Sequence, residues 1–269
     1  MTVLVAEVTG DGPPVVLLHG QPGSGADWAP VARLLAATNA VVVPDRPGYG
    51  RTGGRAKGFR ANAEAVVALM DELSLARATV VGHSWGGGVA LAVAEDHPGR
   101  VSGLVLLASV NPGQPLGAID RALAIPPIGV PVAAATLWLA GQALSVPAVR
   151  QVIDRRLRVA TDEGLAAMAA AWRAGDVWRS FVTEQRALIR ELPGLRDGLS
   201  RIAAPTTVVV GGADRIVPPA TGEALAASIG GARLVRLDGA RHFLAQEHPV
   251  EVAEEIRRVA GTGPGRPLD

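Results

Sequence analysis

The sequence predicts an α/β fold in which a mostly parallel sheet is flanked by helices and interrupted by one inserted helical segment. Three observations predict it. Short β-rich apolar runs alternate with helical patterns over the first 110 residues, the signature of parallel strands joined by crossover helices. The alternation stops from Asn111 to Leu199, where proline-broken helical patterns run without a convincing strand. It resumes with two strand–helix pairs that end near Ala260. The chain therefore divides into a core of residues 1–110 and 200–262, a helical insertion at 111–199, and a tail at 263–269 expected to fray.

Each element has a local reason. Val15-Val16-Leu17-Leu18 and Val41-Val42-Val43 are continuous apolar runs, as strands buried on both faces require. Residues 78–81 and 104–107 read the same way. Between them, 61–75 carries Val66, Leu69, Met70 and Leu73 near helical spacing, and 85–96 is a second helix rich in small residues. After the insertion, 206–210 reads as a strand, 220–229 as a helix, 233–237 as a strand and 249–260 as a helix.

At 269 residues and 48% hydrophobic content the chain can bury a large core, which excludes intrinsic disorder. Twenty-six basic against 25 acidic residues give a net charge of +1, with Lys57 the only lysine. That balance builds no field for nucleic acid or an anionic membrane. The absence of cysteine excludes disulfides, thiolate catalysis, cysteine-ligated zinc and iron–sulfur clusters. No histidine pair has ligand spacing beside a carboxylate, so no metal is expected, and no motif asks for a cofactor. The amino terminus lacks a basic region and a long apolar run, so no signal peptide is expected. The uncharged stretch 122–149 is long enough to raise a membrane span, but Pro126, Pro127, Pro131 and Pro147 interrupt it. It reads as a loop and a helix packed over an apolar cavity. The expected location is cytoplasmic and the expected partner a small-molecule substrate.

The strongest local signal is Gly82-His83-Ser84-Trp85-Gly86, which follows an expected strand and opens an expected helix. A nucleophile elbow demands this context, because the turn is too sharp for a Cβ on either flanking glycine. A serine hydroxyl needs a base that is itself oriented by an acid. His242 follows the last expected strand and Asp214 the one before it. Loops after parallel strands open on one sheet edge, so Ser84, Asp214 and His242 are expected to converge as a catalytic triad. The loop 108–112 offers no alternative carboxylate. The segment His19-Gly20-Gln21-Pro22-Gly23 matches neither a dinucleotide fingerprint nor a phosphate cradle. It reads as an oxyanion loop in which the amide of Gln21 joins that of Trp85. His83 is expected to be structural, and His97 and His248 to lie at the surface or at helix ends.

With the His-Gly-Gln-Pro-Gly loop, Asp45-Arg46-Pro47-Gly48-Tyr49-Gly50, the Ser84 elbow, Gly-Ala-Asp214 and His242-Phe243 in view, the chain resembles capped serine hydrolases of the α/β-hydrolase superfamily. The resemblance runs from about residue 12 to about residue 260. It implies Ser84 as nucleophile, Asp214 as acid, His242 as base and 111–199 as a lid. Pro47 stands where many relatives carry glycine, without consequence for the chemistry.

Ser84 argues against epoxide opening and dehalogenation, which use an elbow aspartate. The expected activity is carboxylesterase-like, on an ester, thioester or lactone of a small-to-medium apolar acid. Perhydrolase, iminopeptidase and C–C bond hydrolase relatives stay open. Asp154, Asp162, Glu163, Asp176 and Glu184 could hold a substrate's amino group but read as helical surface charge. The other class is non-hydrolytic: a biosynthetic cyclase or a ligand-binding protein on the same fold. The stretch 132–146, with Leu137, Trp138, Leu139 and Leu144, is apolar all round and must be covered on more than one face. Trp138 is therefore expected to face the cavity above Ser84, with Ile216 and Phe243 as further pocket residues. The chain is expected to be a monomer or a homodimer through the cap.

Overall fold

The computed structural model describes residues 3–157, 162–173 and 177–261. Among them, seven strands form one sheet: β1 (Ala6–Thr9), β2 (Pro14–Leu18), β3 (Ala40–Pro44), β4 (Ala78–His83), β5 (Val101–Leu107), β6 (Thr206–Gly211) and β7 (Arg233–Leu237). Their order is β1-β3-β2-β4-β5-β6-β7. Every pair is parallel except β1 with β3. The expected α/β-hydrolase fold is thus present, with one antiparallel edge strand that the half-exposed Ala-Glu-Val-Thr run did not announce.

Both faces of the sheet are covered, which is why β2 to β6 read as unbroken apolar runs. Val16, Leu18, Val80, Leu104, Leu106 and Val208 face α2 (Phe59–Glu72), α3 (Trp85–Asp96) and α9 (Pro219–Ser228). Val15, Leu17, Val81, Val105, Leu107 and Val209 face α1 (Ala29–Leu35), α10 (Leu244–Glu247) and α11 (Pro249–Gly261). Each such side chain contributes about 1.5–3 kcal/mol on burial. The central strands are therefore held rigidly, and the loops at their carboxyl ends inherit that rigidity.

Between β5 and β6 the described chain runs through α4 (Ala118–Leu123), α5 (Pro126–Ser145), α6 (Pro147–Leu157), α7 (Asp162–Arg173) and α8 (Val177–Arg190). A 3-10 stretch, Leu192–Arg201, follows and sends Leu192, Leu195 and Leu199 into the core beneath α3. Of the four prolines in the stretch 122–149, Pro126 and Pro147 do break it, opening α5 and α6, whereas Pro131 does not break α5 as the sequence suggested. Pro126 and Pro127 occupy the first turn, where their missing amides cost no helical hydrogen bond, and only Pro131 lies in the interior. By length and composition α5 could cross a membrane; here it packs on α4, α7 and α8. It leaves Ile128, Val132, Trp138 and Leu139 exposed. The tail at 263–269 and the side chains of Asp154, Asp162, Glu163 and Asp176 lie outside the described residues.

Candidate active site

β4 delivers the chain to Ser84, and α3 starts at the next residue. Ser84 sits at φ 52° and ψ −119°, a left-handed conformation that costs an L residue about 1–3 kcal/mol. Three hydrogen bonds hold it there. Its amide donates to Leu107 O (2.9 Å), and its carbonyl accepts from the amides of Gly87 (2.9 Å) and Val110 (3.1 Å). The flanking glycines are a matter of space: a Cβ on Gly82 would strike the Gly86 backbone, and one on Gly86 the carbonyls of Leu18 and His19.

The loops after β6 and β7 bring the other two predicted residues to this serine. Ser84 Oγ lies 3.0 Å from His242 Nε2, and His242 Nδ1 lies 2.8 Å from Asp214 Oδ2. All three residues are buried. With Asp214 ionised, Nδ1 carries the ring proton and Nε2 is left to accept from the serine hydroxyl. The other carboxylate oxygen, Asp214 Oδ1, accepts the amides of Ile216 (2.8 Å) and Val217 (3.0 Å). Burial alone would push the Asp214 carboxyl up. The hydrogen bond and charge of His242, together with those two amides, outweigh it and hold the group below the usual carboxylate range. His83 donates from Nε2 to the His242 carbonyl (2.8 Å), and Glu247 Oε2 accepts the Arg241 amide (2.9 Å). The histidine loop is thereby pinned on both sides.

The segment 19–21 abuts the serine: a Cβ on Gly20 would lie 3.2 Å from Ser84 Cβ. Among the described residues, neither the Gln21 amide nor the Trp85 amide donates to another protein group. Both amides belong to residues adjoining the elbow: Trp85 follows Ser84, and Gln21 follows Gly20. Behind them lies a buried network that sequence reasoning missed. Arg46 and Glu184 are wholly inaccessible and form an ion pair, Arg46 Nη1 to Glu184 Oε1. Glu184 Oε2 accepts from Tyr49 Oη (2.7 Å). Glu184 is therefore no surface charge, contrary to expectation, and its oxygens are already engaged. Its burial raises the carboxyl, with Arg46 and Tyr49 acting against that rise. The only available signal was the helical position of Glu184 beside Phe181, Val182 and Leu188, too weak to separate it from its exposed neighbours.

A cavity of about 450 Å³ opens beside His242, lined by Ala213, Arg215, Ile216, Arg241, His242, Phe243 and Glu247. Two of the three expected pocket residues, Ile216 and Phe243, are on its wall. Trp138 is not; it is 49% exposed on α5. An apolar helix did imply cover on several faces, but the neighbours of α5 bury Ala133, Leu137, Gly141 and Leu144 instead. His97 pairs with Glu64 and His248 with Glu251. Among the described residues no group of three or more His, Asp or Glu side chains is arranged to hold a metal ion.

This geometry defines a hydrolase-type elbow on an α/β-hydrolase sheet, and the comparisons with known proteins agree. The chain belongs to the alpha/beta hydrolase family, whose model matches residues 15–255. It is 29% identical to a 2-hydroxymuconate semialdehyde hydrolase of Pseudomonas sp. strain CF600, over 92% of this chain and 87% of that one. It is also 29% identical to a protein named putative carbamate hydrolase in Rhizobium rhizogenes, over 92% of each chain. Among solved structures, an N-acyl homoserine lactone degrading enzyme superposes with a TM-score of 0.74 at 29% identity, covering 95% of this chain and 96% of that one.

Proposed function

We propose that the protein is a serine hydrolase that cleaves an ester, thioester or lactone of a small-to-medium apolar acid. The observation that carries this reading is the unbroken relay Asp214–His242–Ser84, with contacts of 2.8 and 3.0 Å. In it, His242 Nε2 takes the proton of Ser84 Oγ as that oxygen bonds to the substrate carbonyl carbon. The carbonyl oxygen becomes an anion facing the amides of Gln21 and Trp85. Collapse expels the alcohol or thiol, which takes the proton from His242 and leaves an acyl-serine. Water, deprotonated by the same imidazole, then releases the acid and restores Ser84.

We read α4 to α8 as a lid over the carboxyl edge of the sheet. Three contacts from α8 support this. Phe181 O accepts from Gln21 Nε2 (3.0 Å), Ser180 Oγ donates to Gly48 O (2.7 Å), and Glu184 pairs with Arg46. Ile216 and Phe243 give the cavity its apolar wall, which favours uncharged acyl or alcohol groups. The likeness to the 2-hydroxymuconate semialdehyde hydrolase favours hydrolysis of that compound, or of a related one, as a second reading. A panel of p-nitrophenyl esters of rising acyl length tests the first, and 2-hydroxymuconate semialdehyde the second. Ester turnover lost in Ser84→Ala supports the proposal; no turnover of any ester by folded protein rejects it.

A further inference from the structure

We infer that the Arg46–Glu184 pair is a positioning device that orients the Gln21 amide, so that seating of α8 and readiness of the oxyanion site are one event. The inference rests on the serine-hydrolase reading above. Its basis is where the Arg46 donors go. Nε donates to His19 O (2.8 Å) and Nη2 to Gly20 O (2.9 Å), while Nη1 reaches Glu184. The Arg46 amide donates to His19 Nε2 (2.9 Å), which fixes that ring with its proton on Nδ1. His19 Nδ1 in turn donates to Gly20 O (2.9 Å). The Gly20 carbonyl thus accepts two hydrogen bonds, one of them from a cation.

That carbonyl shares a peptide unit with the Gln21 N–H. The unit is planar and trans, so C=O and N–H point in opposite directions, and fixing the oxygen fixes the amide. A charged donor at the oxygen also polarises the unit and strengthens the N–H as a donor. The same guanidinium also meets the side chain of Trp85, the residue of the second proposed donor. Arg46 lies over the Trp85 ring at 4.5 Å, and that ring stacks on Phe59 at 4.2 Å. The Trp85 indole N–H points at Glu184 O (3.4 Å).

The counter-charge comes from the insertion. A wholly buried guanidinium without a carboxylate is severely penalised, so Arg46 holds this place only with Glu184, and therefore α8, docked. An ion pair serving structure alone would behave differently. Apolar residues of similar volume can replace such pairs without loss of stability, and an alternative packing that keeps α8 in place would keep the rate.

The test compares wild type with the double variant Arg46→Met/Glu184→Met, using p-nitrophenyl acetate turnover and binding of phenylboronic acid, whose serine adduct mimics the tetrahedral oxyanion. Positioning predicts a folded variant whose kcat falls about 10- to 10³-fold, up to the loss of one oxyanion donor, at nearly unchanged KM. Boronate affinity should fall in step with kcat/KM. A folded double variant with wild-type kcat and boronate affinity overturns the inference. Should the double variant not fold, Glu184→Gln keeps the shape, removes the charge and turns one acceptor oxygen into a donor. A several-fold lower kcat at unchanged KM is expected there, and an unchanged kcat overturns the inference. Labelling of wild-type Ser84 by a fluorophosphonate is read in parallel. If wild type neither labels nor hydrolyses, the serine-hydrolase reading fails, and this inference fails with it.

Discussion

The ring of His83, the residue before Ser84, donates to the backbone carbonyl of His242 across 2.8 Å, tying the elbow to the loop that carries the proposed base. Their rings lie tilted with centroids 4.9 Å apart. The bond requires a proton on His83 Nε2. Burial, reinforced by the charge of His242, pushes the His83 pKa down to about 3.

A pH dependence of stability follows. The folded pKa of His83 lies below its unfolded value of 6.5, so the unfolded chain binds more protons between these values. The contribution is complete above pH 6.5 and is lost as pH falls towards 3, at about 1.4 kcal/mol per pH unit. Asp27 and Glu95, partly buried and raised to about 6 and about 7, act with the opposite sign, so the comparison must isolate His83. Urea unfolding of wild type and His83→Gln from pH 4 to 8 does so. The difference between the two curves should change by several kcal/mol across the acid range; parallel curves would show that His83 titrates normally.

Asp214→Asn should leave the fold intact and lower kcat on the order of 10⁴-fold, because an amide no longer enforces the Nδ1–H tautomer. Steady-state hydrolysis of the best p-nitrophenyl ester measures it. A loss below tenfold would mean that the carboxylate does not orient the ring.

Phe243→Ala and Trp138→Ala should diverge. Phe243 meets the His242 ring edge-on at 5.4 Å and lines the cavity, so its truncation should shift chain-length preference. Trp138 is half exposed on α5 and should alter stability by only about 0.5 kcal/mol and preference not at all. The acyl-length profile of each variant decides. A changed profile in Trp138→Ala would return that residue to the pocket.

What the sequence disclosed and what it withheld have separate physical causes. Strand and helix order was legible because two-sided burial leaves continuous apolar runs such as Val15 to Leu18, and one-sided burial leaves helical spacing such as that of 61–75. The convergence of Ser84, Asp214 and His242 was legible because loops that follow parallel strands open on one edge of the sheet. The edge strand β1 was not, since four half-exposed residues carry no periodicity. Nor was the pairing of Arg46 with Glu184, separated by 138 residues: local patterning says that a helical glutamate faces outward, and only the docking of α8 reverses this. Pro131 misled for a related reason. Its local cost of about 3 kcal/mol is visible in the sequence, while the packing of α5 on α7 and α8 that offsets it is not.

The central claim is that Ser84 is a nucleophile activated by His242, and intact-protein and peptide mass spectrometry after treatment with a fluorophosphonate tests it most directly. The account predicts one adduct per chain, located on Ser84, absent in Ser84→Ala and formed far more slowly in His242→Ala. Folded wild-type protein that stays unmodified, or that carries the adduct on another residue, would contradict it.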